Sequence, residues 1–410
     1  MSSLHPPVQA NAALVQAWHT YHATLEDMRH TLESSSRFQS TPQHRAKAYH
    51  CLMEIQAMAY NFIVAPRMLH PRIHTNTGWQ TSMYTLGQNG QDFLYGVVFV
   101  DGSQRYRLKG RIGDIAVFLL QTLNGVFGED GVAITGNYDW DDFEIDDDGH
   151  FEVILSAEKE DGNWIKLSPE SGYQFMLIRR ALPDWEGDRG ELYLERISDL
   201  PDNHYDRDEF DEEAMAARIE RATAFIRYLI NDFTINLYDM YKSNAGGVKN
   251  KLVLLPGTVT SDVGSPSSNY AMAVFELAKD EALVIEMDTV PNGAYWSFQL
   301  GDVWSRSLDF SSRQSSLNNH EISVDGDGVF RVVVSHDDPG VNNWLDPCGR
   351  LEGTIVFRNY RATTAPVPTT RLVKTTQLPA ILAQAKIVSP TQREQMMERR
   401  RKAQLRWYGE

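Results

Sequence analysis

Residues 295–320 form the part of the sequence that is densest in chemically reactive side chains. Their types predict general acid–base catalysis by Asp309 or His320, with Arg306 or Arg313 stabilising a negatively charged oxygen. The alternative is a loop whose charged residues only maintain its structure. The candidate catalytic residues are Tyr295, Asp309, Arg313 and His320.

Two tryptophans and two arginines recur at matching places and are candidates for ligand binding. Trp164 and Trp344 each follow an asparagine, and Arg179 and Arg358 each end a predicted strand. In one interpretation the tryptophans line a concavity that holds a ring-containing ligand, and an arginine binds its carboxylate or polarised oxygen. In the other, the indoles fill the core with their N–H groups satisfied, the asparagines close turns, and the arginines pair with acidic loops. The predicted ligand-binding residues are Trp164, Trp296, Trp304, Arg306, Trp344 and Arg358.

The sequence offers little support for a metal or a cofactor. His70 and His74 have the spacing of helical metal ligands, but Pro71 lies between them and no HExxH or CxxC motif accompanies them. The acidic run at residues 139–148 lacks EF-hand spacing and is interpreted as a solvated hairpin. No GxGxxG after a strand, P-loop or GxSxG elbow occurs. We therefore predict no metal and no cofactor.

An internal repeat must position these candidates. Residues 148–156 read Asp-Gly-His-Phe-Glu-Val-Ile-Leu-Ser, and residues 327–335 read Asp-Gly-Val-Phe-Arg-Val-Val-Val-Ser. The Asn-Trp pairs and the arginines keep the same offset, so two similar folding units follow one another, each with its own core. Residues 118–142, the first-copy counterpart of 295–320, lack the reactive set, and a site on the second copy alone is therefore predicted.

The period of the apolar residues separates strands from helices. Residues 104–108 alternate, residues 151–155 are a short β-rich run, and the Asp101-Gly102 and Asp148-Gly149 pairs predict hairpins. Residues 115–123 could form a helix by their apolar content alone, but their counterpart at 294–300 alternates, so both are predicted strands.

Helical spacing marks the two ends of the chain and the connection between the copies. Residues 11–33 and 43–64 predict two helices joined by a Ser-rich turn, and residues 208–242 predict one long helix that packs against both copies. Ser389 before Pro390 predicts the cap of a C-terminal helix.

Composition excludes several classes of protein. The 410 residues are 42% hydrophobic, which is typical of a globular protein with two or three domains. A formal charge of -16 argues against nucleic acid and anionic membranes as partners. Two cysteines do not form a secreted disulfide framework, and neither a signal peptide nor a membrane span is recognisable. A cytoplasmic protein is predicted.

Four short motifs follow one another in the second copy. They are Tyr295-Trp296-Ser297, Asp325-Gly326-Asp327-Gly328, Asn343-Trp344-Leu345-Asp346-Pro347 and Phe357-Arg358-Asn359-Tyr360. This succession resembles the DUF1214 family, whose motif lacks the residue that Asp346 occupies here. The resemblance implies a jelly-roll-like β-sandwich and supplies no agreed catalytic residues.

These observations predict a mainly β protein with two tandem jelly-roll-like antiparallel β-sandwiches and flanking helices. The predicted parts are a helical N-terminal region (1–85), a first sandwich (86–200), an inter-repeat helix (201–250), a second sandwich (251–365) and a helical tail (366–410).

The predicted function is a cofactor-independent lyase, hydrolase or isomerase acting on an oxygenated ring compound such as a terpenoid, steroid or glycoside. The alternative is a non-catalytic protein that binds such a molecule or a partner enzyme. A structural subunit is a third possibility, and the oligomeric state is left open, a homo-oligomer included. An ionisable group with a shifted pKa in 295–320 that faces the cleft between the copies would favour the enzyme, whereas aromatic walls alone would favour the binding protein.

Overall fold

Eight strands form the first of two β-sandwiches in the computed structural model, which describes residues 11–75, 84–200, 209–255 and 268–408. One sheet has the order β1-β7-β3-β4 and the other β6-β5-β2-β8. Inward-facing residues such as Val98, Phe118 and Val153 fill the space between the sheets. These strands are Phe93–Val100 (β1), Tyr106–Arg111 (β2), Val117–Leu123 (β3), Ile134–Tyr138 (β4), His150–Ser156 (β5), Trp164–Lys166 (β6), Gln174–Ala181 (β7) and Glu191–Arg196 (β8).

The second sandwich repeats this arrangement. Its strands are Val253–Leu254 (β9), Ser268–Glu276 (β10), Glu281–Met287 (β11), Tyr295–Gly301 (β12), Ser316–Asn318 (β13), Phe330–Ser335 (β14), Trp344–Leu345 (β15), Glu352–Tyr360 (β16) and Thr369–Lys374 (β17). They form the sheets β13-β12-β16-β10-β9 and β15-β14-β11-β17. Matching β1–β8 to β10–β17 reproduces both sheet orders, and β9 is the one added strand. Even the parallel pair β5 and β6 recurs as β14 and β15.

The two predicted hairpins between neighbouring strands were wrong. Asp101-Gly102 and Asp148-Gly149 do not close hairpins, because β1 and β2, like β4 and β5, belong to different sheets of the sandwich. Each turn carries the chain across to the facing sheet, as Greek-key connections do. The predicted helical tail at 366–410 also contains β17, which pairs with β11, so the second sandwich continues to Lys374.

The N-terminal region is helical. It comprises α1 (Ala12–Ser34), α2 (Ser36–Ser40) and α3 (Pro42–Ala59), and α3 continues as a π-helix over Tyr60–Val64. The side chains of Asn11 and Thr41 cap α1 and α3 by accepting backbone N–H groups. The predicted Ser-rich turn therefore contains a short helix of its own. Predictions that fall on residues 1–10 lie outside the described residues.

A helix connects the two sandwiches over residues 212–244, and we refer to it as the inter-repeat helix. It consists of α4 (Glu212–Tyr228), a π-helix (Leu229–Asn236) and α5 (Leu237–Asn244). The predicted single helix is thus continuous but widened in its middle, and its predicted start at 208 lies outside the described residues. Phe225 and Ile226 share one apolar core with residues of both sandwiches, such as Phe175 and Val356.

The C-terminal part adds two helices, α6 (Leu378–Ile381) and α7 (Pro390–Tyr408). From α7, the Trp407 indole donates to the backbone carbonyl of Trp185, so the end of the chain contacts the first sandwich. Three-residue 3-10 helices lie at Trp140–Asp142 and Thr375–Gln377. Among the described residues, no helix combines the length and the apolar run that a membrane crossing requires.

Two of the four sheets have both faces covered. These inner sheets, β1-β7-β3-β4 and β13-β12-β16-β10-β9, contact the sandwich partner on one face and the helices on the other. Every residue of β3 and of β12 is buried as a result. This explains why 115–123 is mostly apolar without alternation although β3 lies within it, and the prediction of a strand there is confirmed.

Candidate functional site

A cavity of about 310 Å³ lies where the two inner sheets meet the inter-repeat helix. The strands β1 and β7 form one wall and β10 and β16 form a second. The helix and a loop before β1 complete it. The polar side chains of the lining are those of Gln88, Asn89, Tyr95, Arg179, Tyr228, Asp232, Asn236, Tyr241, Tyr270, Arg358 and Tyr360.

The two sandwiches contribute equivalent pairs of side chains to this cavity. Tyr95 lies opposite Arg179 in the register of β1 and β7, and Tyr270 lies opposite Arg358 in the register of β10 and β16. Because the sheets are copies of one another, both arginines point to the same face of their sheet. Packing the two faces around one space brings both guanidinium groups into its lining.

Arg358 is buried and bonded only to neutral groups. Its Nη1 donates to Gln299 Oε1 at 2.6 Å, and its Nη2 donates to the backbone carbonyl of Gln88. No carboxylate of the described residues forms an ion pair with it. Arg358 therefore carries a buried charge that is not paired with any anionic side chain in the described part of the chain.

Arg179 is half-buried. Within the ranges that the structure describes, it makes neither a hydrogen bond nor an ion pair. Its guanidinium has five N–H donors in a planar fork that matches a carboxylate. Arg179 is consequently the cation of the cavity that is available to a ligand.

Two tyrosine hydroxyls lie beside Arg358. The hydroxyls of Tyr270 and Tyr360 share a hydrogen bond, and both side chains are buried. Burial, followed by the neighbouring Tyr270, raises the pKa of Tyr360 well above its usual value. The phenol is therefore neutral at physiological pH and can donate a hydrogen bond to a ligand oxygen.

The remaining walls are mostly apolar. The apolar lining includes Leu86, Phe127, Leu177, Phe233, Leu237, Met240, Leu255 and Met272. Exposed Asp232 and Asn236 add polarity on the helical side, where Asn236 Nδ2 donates to Asp232 Oδ1 at 3.3 Å. The cavity thus combines a cationic polar part with an apolar part, which is the usual composition of a small-molecule site.

The loop before β1 is shaped to meet Arg358. Gly87 and Gln88 have φ values of 72° and 47°, in the left-handed region that a glutamine rarely adopts. Gln88 N–H donates to the backbone carbonyl of Ser305, which anchors the loop on the second sandwich. The left-handed turn is held there while the Gln88 carbonyl accepts from Arg358.

Arg358 is the one member of the predicted ligand-binding set that lines this cavity. Trp164 and Trp344 lie instead in the outer sheets, so the hypothesis that they line a concavity between the sandwiches was wrong. Their indoles donate to Ser156 Oγ and to the Ser335 carbonyl, each at 3.0 Å. The alternative interpretation, indoles packed in place with satisfied N–H groups, is the one the structure bears out.

The other predicted ligand-binding residues are also packed within the protein. Trp296 contacts Phe330 in the core of the second sandwich. Trp304 is fully buried, and its indole donates to the backbone carbonyl of His44 in α3. Arg306 forms a buried ion pair with Glu54 at 2.8 Å. Trp296 therefore belongs to the core of the second sandwich, whereas Trp304 and Arg306 connect this sandwich to α3.

Tyr295 joins the two sandwiches. Its hydroxyl donates to Asp92 Oδ2 at 2.6 Å and can accept from the Ser297 hydroxyl, whose Oγ lies at 2.8 Å. Asp92 is fully buried and also accepts from Trp185 and Asn318. Burial, followed by the charge of Glu321, raises the pKa of Asp92 to about 7 although these hydrogen bonds lower it.

The last three predicted catalytic residues lie apart from the cavity. Asp309 accepts from the backbone and hydroxyls of its own turn, and Arg313 pairs with Asp346, the residue that departs from the family motif. His320 is exposed, 3.9 Å from Asp184. None of residues 295–320, all of which the structure describes, lines the cavity. His320 lines a second cleft together with Asp184 and Glu186 of the first copy, so only the end of this stretch faces a space between the copies.

The histidine pair does not form a metal site. His70 and His74 lie in a non-helical segment, and His74 bridges to Val97 of β1. Across the four described ranges, no three His, Cys, Asp or Glu side chains are grouped as metal ligands. The acidic run at 139–148 is exposed for the most part, and Asp139 caps the 3-10 helix there.

Sequence reasoning missed most of the cavity. The predicted site residues do not include Arg179, Tyr270, Tyr360, Asp232 or Gln88. One signal was present, because Arg358 and Tyr360 alternate on one face of a strand end. Their partners on β10 and on the helix follow only from the tertiary arrangement.

Comparison with known families identifies the second sandwich. Residues 273–364 match the family described as "Protein of unknown function (DUF1214)". The resemblance predicted from the four motifs is therefore confirmed for this segment. The match does not include the first sandwich. No curated protein matches the sequence of this chain.

Two solved structures resemble this one. An uncharacterized protein from Burkholderia cenocepacia has 29% sequence identity and a TM-score of 0.78, and the alignment covers 89% of this chain and 99% of that chain. A protein from Vibrio parahaemolyticus has 10% identity and a TM-score of 0.45, with 79% of this chain and 98% of that chain covered. The first similarity extends over both sandwiches and supports the predicted fold.

Proposed function

We propose that this protein binds a small organic carboxylate with an apolar body in the cavity between the inner sheets. The observation that carries the proposal is the pair of cavity arginines, Arg358 buried and Arg179 half-buried, neither of which forms an ion pair with a carboxylate of the described residues. A buried charge is unfavourable unless an opposite charge or several hydrogen bonds compensate it. An anionic ligand supplies that compensation.

The lining indicates how such a ligand is oriented. Its carboxylate meets Arg179 through two hydrogen bonds and lies within the field of Arg358. Its apolar body contacts Leu177, Phe233 and Met272. A neutral oxygen elsewhere on the ligand accepts from one hydroxyl of the Tyr270–Tyr360 pair, the one that does not donate to the other.

The volume restricts the size of the ligand. A cavity of about 150 Å³ holds one benzene ring. The cavity here, at about 310 Å³, has room for about two rings. Among the oxygenated ring compounds predicted from the sequence, this favours a small terpenoid or aromatic acid over a steroid.

The paired tyrosine hydroxyls favour a second candidate, a cofactor-independent enzyme acting on the same class of compound. A neutral phenol beside a guanidinium can hydrogen-bond to a ligand oxygen and polarise it, which would assist an isomerase, lyase or hydrolase. To distinguish the two candidates, a substoichiometric amount of protein is incubated with a small-molecule extract of its native cell and compared with a boiled control. Depletion of a compound beyond the moles of protein indicates an enzyme, and retention with unchanged release indicates a binding protein.

We also propose a cytoplasmic location and no nucleic-acid partner. Both cysteines are free thiols, as is usual in a reducing compartment. The formal charge of -16 disfavours contact with phosphate backbones.

Binding is tested by calorimetry with two probes of equal size, 1-naphthoate and neutral 1-naphthylmethanol. Because a hydrogen bond to a charged group contributes about 1.5–3 kcal/mol, we expect naphthoate to bind roughly 10- to 100-fold more tightly. Arg179→Met should remove most of this preference. Arg180→Met is the matched control, since Arg180 follows on the same strand, points to the opposite face and donates to the Arg189 carbonyl. Equal affinity for both probes, or no binding of naphthoate, would refute the proposal.

A further inference from the structure

The widened part of the inter-repeat helix forms one wall of the cavity. The lining residues Tyr228, Asp232, Asn236 and Met240 recur at every fourth position. In an α-helix, with 3.6 residues per turn, each such step rotates the side chain by roughly 40°, so three steps turn it through roughly 120°. The wider turns of the π-helix at Leu229–Asn236 offset this rotation and keep all four residues on one face.

Two side chains hold the π-helix open. Thr234 Oγ1 donates to the Leu229 carbonyl five residues earlier, at 2.9 Å. Arg37, from α2, donates through Nη1 to the Thr234 carbonyl at 3.1 Å and through Nη2 to the Ile235 carbonyl at 3.0 Å. External donors of this kind compete with the bonds of a regular α-helix, because they occupy carbonyls that the α-helix would use.

Arg37 is itself fixed in place. It is buried, and its Nη1 also donates to the Val303 carbonyl at 2.7 Å. Its guanidinium lies over the rings of Tyr238 and Trp304, at 4.6 and 5.2 Å from their centroids. The contact with Val303 connects the π-helix to the second sandwich, so Arg37 sets the position of the helical wall relative to the inner sheet.

We infer that Arg37 is a positioning residue for the cavity, which it shapes by maintaining the π-helix at Leu229–Asn236 without touching the ligand. Arg37 does not line the cavity. Its effect on affinity rests on the proposed function, whereas its effect on the helix does not. When Arg37 is lost, the segment relaxes toward an α-helix, and the lining residues rotate away from the common face.

The chain contains a matched control for this residue. Arg218 is also buried and donates to three backbone carbonyls, those of Ile63, Val64 and Pro66. These carbonyls lie at the end of the other π-helix, Tyr60–Val64, which does not line the cavity. Lysine at position 37 keeps the charge, but its single nitrogen cannot reproduce bonds that Arg37 makes from both Nη1 and Nη2, whereas all three Arg218 bonds come from Nη1.

The experiment compares Arg37→Lys with Arg218→Lys in the full chain. Naphthoate affinity, the free energy of unfolding and hydrogen exchange of the amides at 229–241 are measured for each. We expect both variants to lose stability, but only Arg37→Lys to accelerate exchange at 229–241 and to weaken naphthoate binding, by roughly tenfold. Arg218→Lys should bind within about twofold of the unmodified protein.

Thr234→Val serves where Arg37→Lys does not fold, because it removes the bond to Leu229 while preserving shape. It should change exchange and affinity in the same direction. Unchanged exchange at 229–241, or equal loss of affinity in the Arg37 and Arg218 variants, would overturn the inference. If the unmodified protein does not bind naphthoate, the proposed function fails, and hydrogen exchange still decides the role of Arg37.

Discussion

Arg179 of the first sandwich and Arg358 of the second occupy equivalent positions, but their surroundings differ. Arg358 is buried and donates to Gln299. The equivalent glutamine of the first sandwich, Gln121, donates to Asn137, and Arg179 has no hydrogen bond or ion pair in the described part of the chain. The repeat therefore places two arginines around one cavity, and the side chain of only one of them bonds to described parts of the protein.

The Asn-Trp pairs, in contrast, have equivalent partners in the two sandwiches. The side chains of Asn163 and Asn343 each bond the backbone of two neighbouring segments, at Glu144 and Glu152 in the first sandwich and at Ser323 and Arg331 in the second. Each indole that follows is satisfied by the strand before it. Features that recur with the same partners maintain the fold, whereas a feature that recurs with different partners is where function can differ.

The largest expected effect concerns Asp92, which lies at the contact between the two sandwiches. Its folded pKa of about 7 exceeds the usual unfolded value of about 3.9, so the native state binds the extra proton between these values. The stabilising contribution is complete below about pH 4 and is lost as the pH rises through about 7. We expect the free energy of unfolding to fall by up to about 4 kcal/mol over this range, measured by urea denaturation.

Asp92→Asn provides the reference for that measurement. The amide keeps the size of the carboxyl group but does not titrate, so the pH dependence should be smaller by the same amount. A variant whose stability follows the same pH curve as the unmodified protein would show that Asp92 does not titrate in this window.

The next prediction compares the side chains of Asn163 and Asn343, which we call the asparagine clamps. Asn343 is 5% exposed, whereas Asn163 is half-buried. Removing a buried side chain leaves the carbonyls that it bonded without partners, so Asn343→Ala should lower the free energy of unfolding by about 3 kcal/mol. Asn163→Ala should lower it by about 1 kcal/mol, because water can replace the lost bonds. Equal losses in denaturant titrations would mean that burial does not distinguish the two clamps.

Much of the fold could be predicted because it follows from local patterns. The repeat placed two sandwiches in tandem, and comparison of 115–123 with 294–300 identified a strand that composition alone would have assigned to a helix. The connections between the strands were harder to predict from the sequence. An Asp-Gly pair specifies a tight turn, but the turn at Asp101-Gly102 joins two sheets rather than two neighbours in one, and only packing decides between these outcomes.

The candidate site was harder to predict, because reactive residues that are close together in the sequence need not be close together in space. Residues 295–320 are rich in reactive types, yet Tyr295, Arg306 and Arg313 each point to a different structural partner. The cavity instead collects single residues from strands and a helix far apart in the chain. Arg358 belongs to the predicted ligand-binding set because it recurs with Arg179. The internal repeat is therefore the sequence feature that identified a residue of the cavity.

The smallest expected effect concerns the exposed contact between the sandwiches. Arg361 of the second pairs with Asp139 and Asp141 of the first, and all three side chains reach solvent. Exposed ion pairs contribute about 0.2–1 kcal/mol, and salt screens them. Alanine at the φ of 53° found here retains the backbone strain of arginine, so Arg361→Ala isolates the ion pairs. We expect a loss of about 0.5 kcal/mol at low salt that disappears near 1 M salt. A loss comparable to that at Asp92 would mean that surface charge, rather than the buried carboxyl network, joins the two sandwiches.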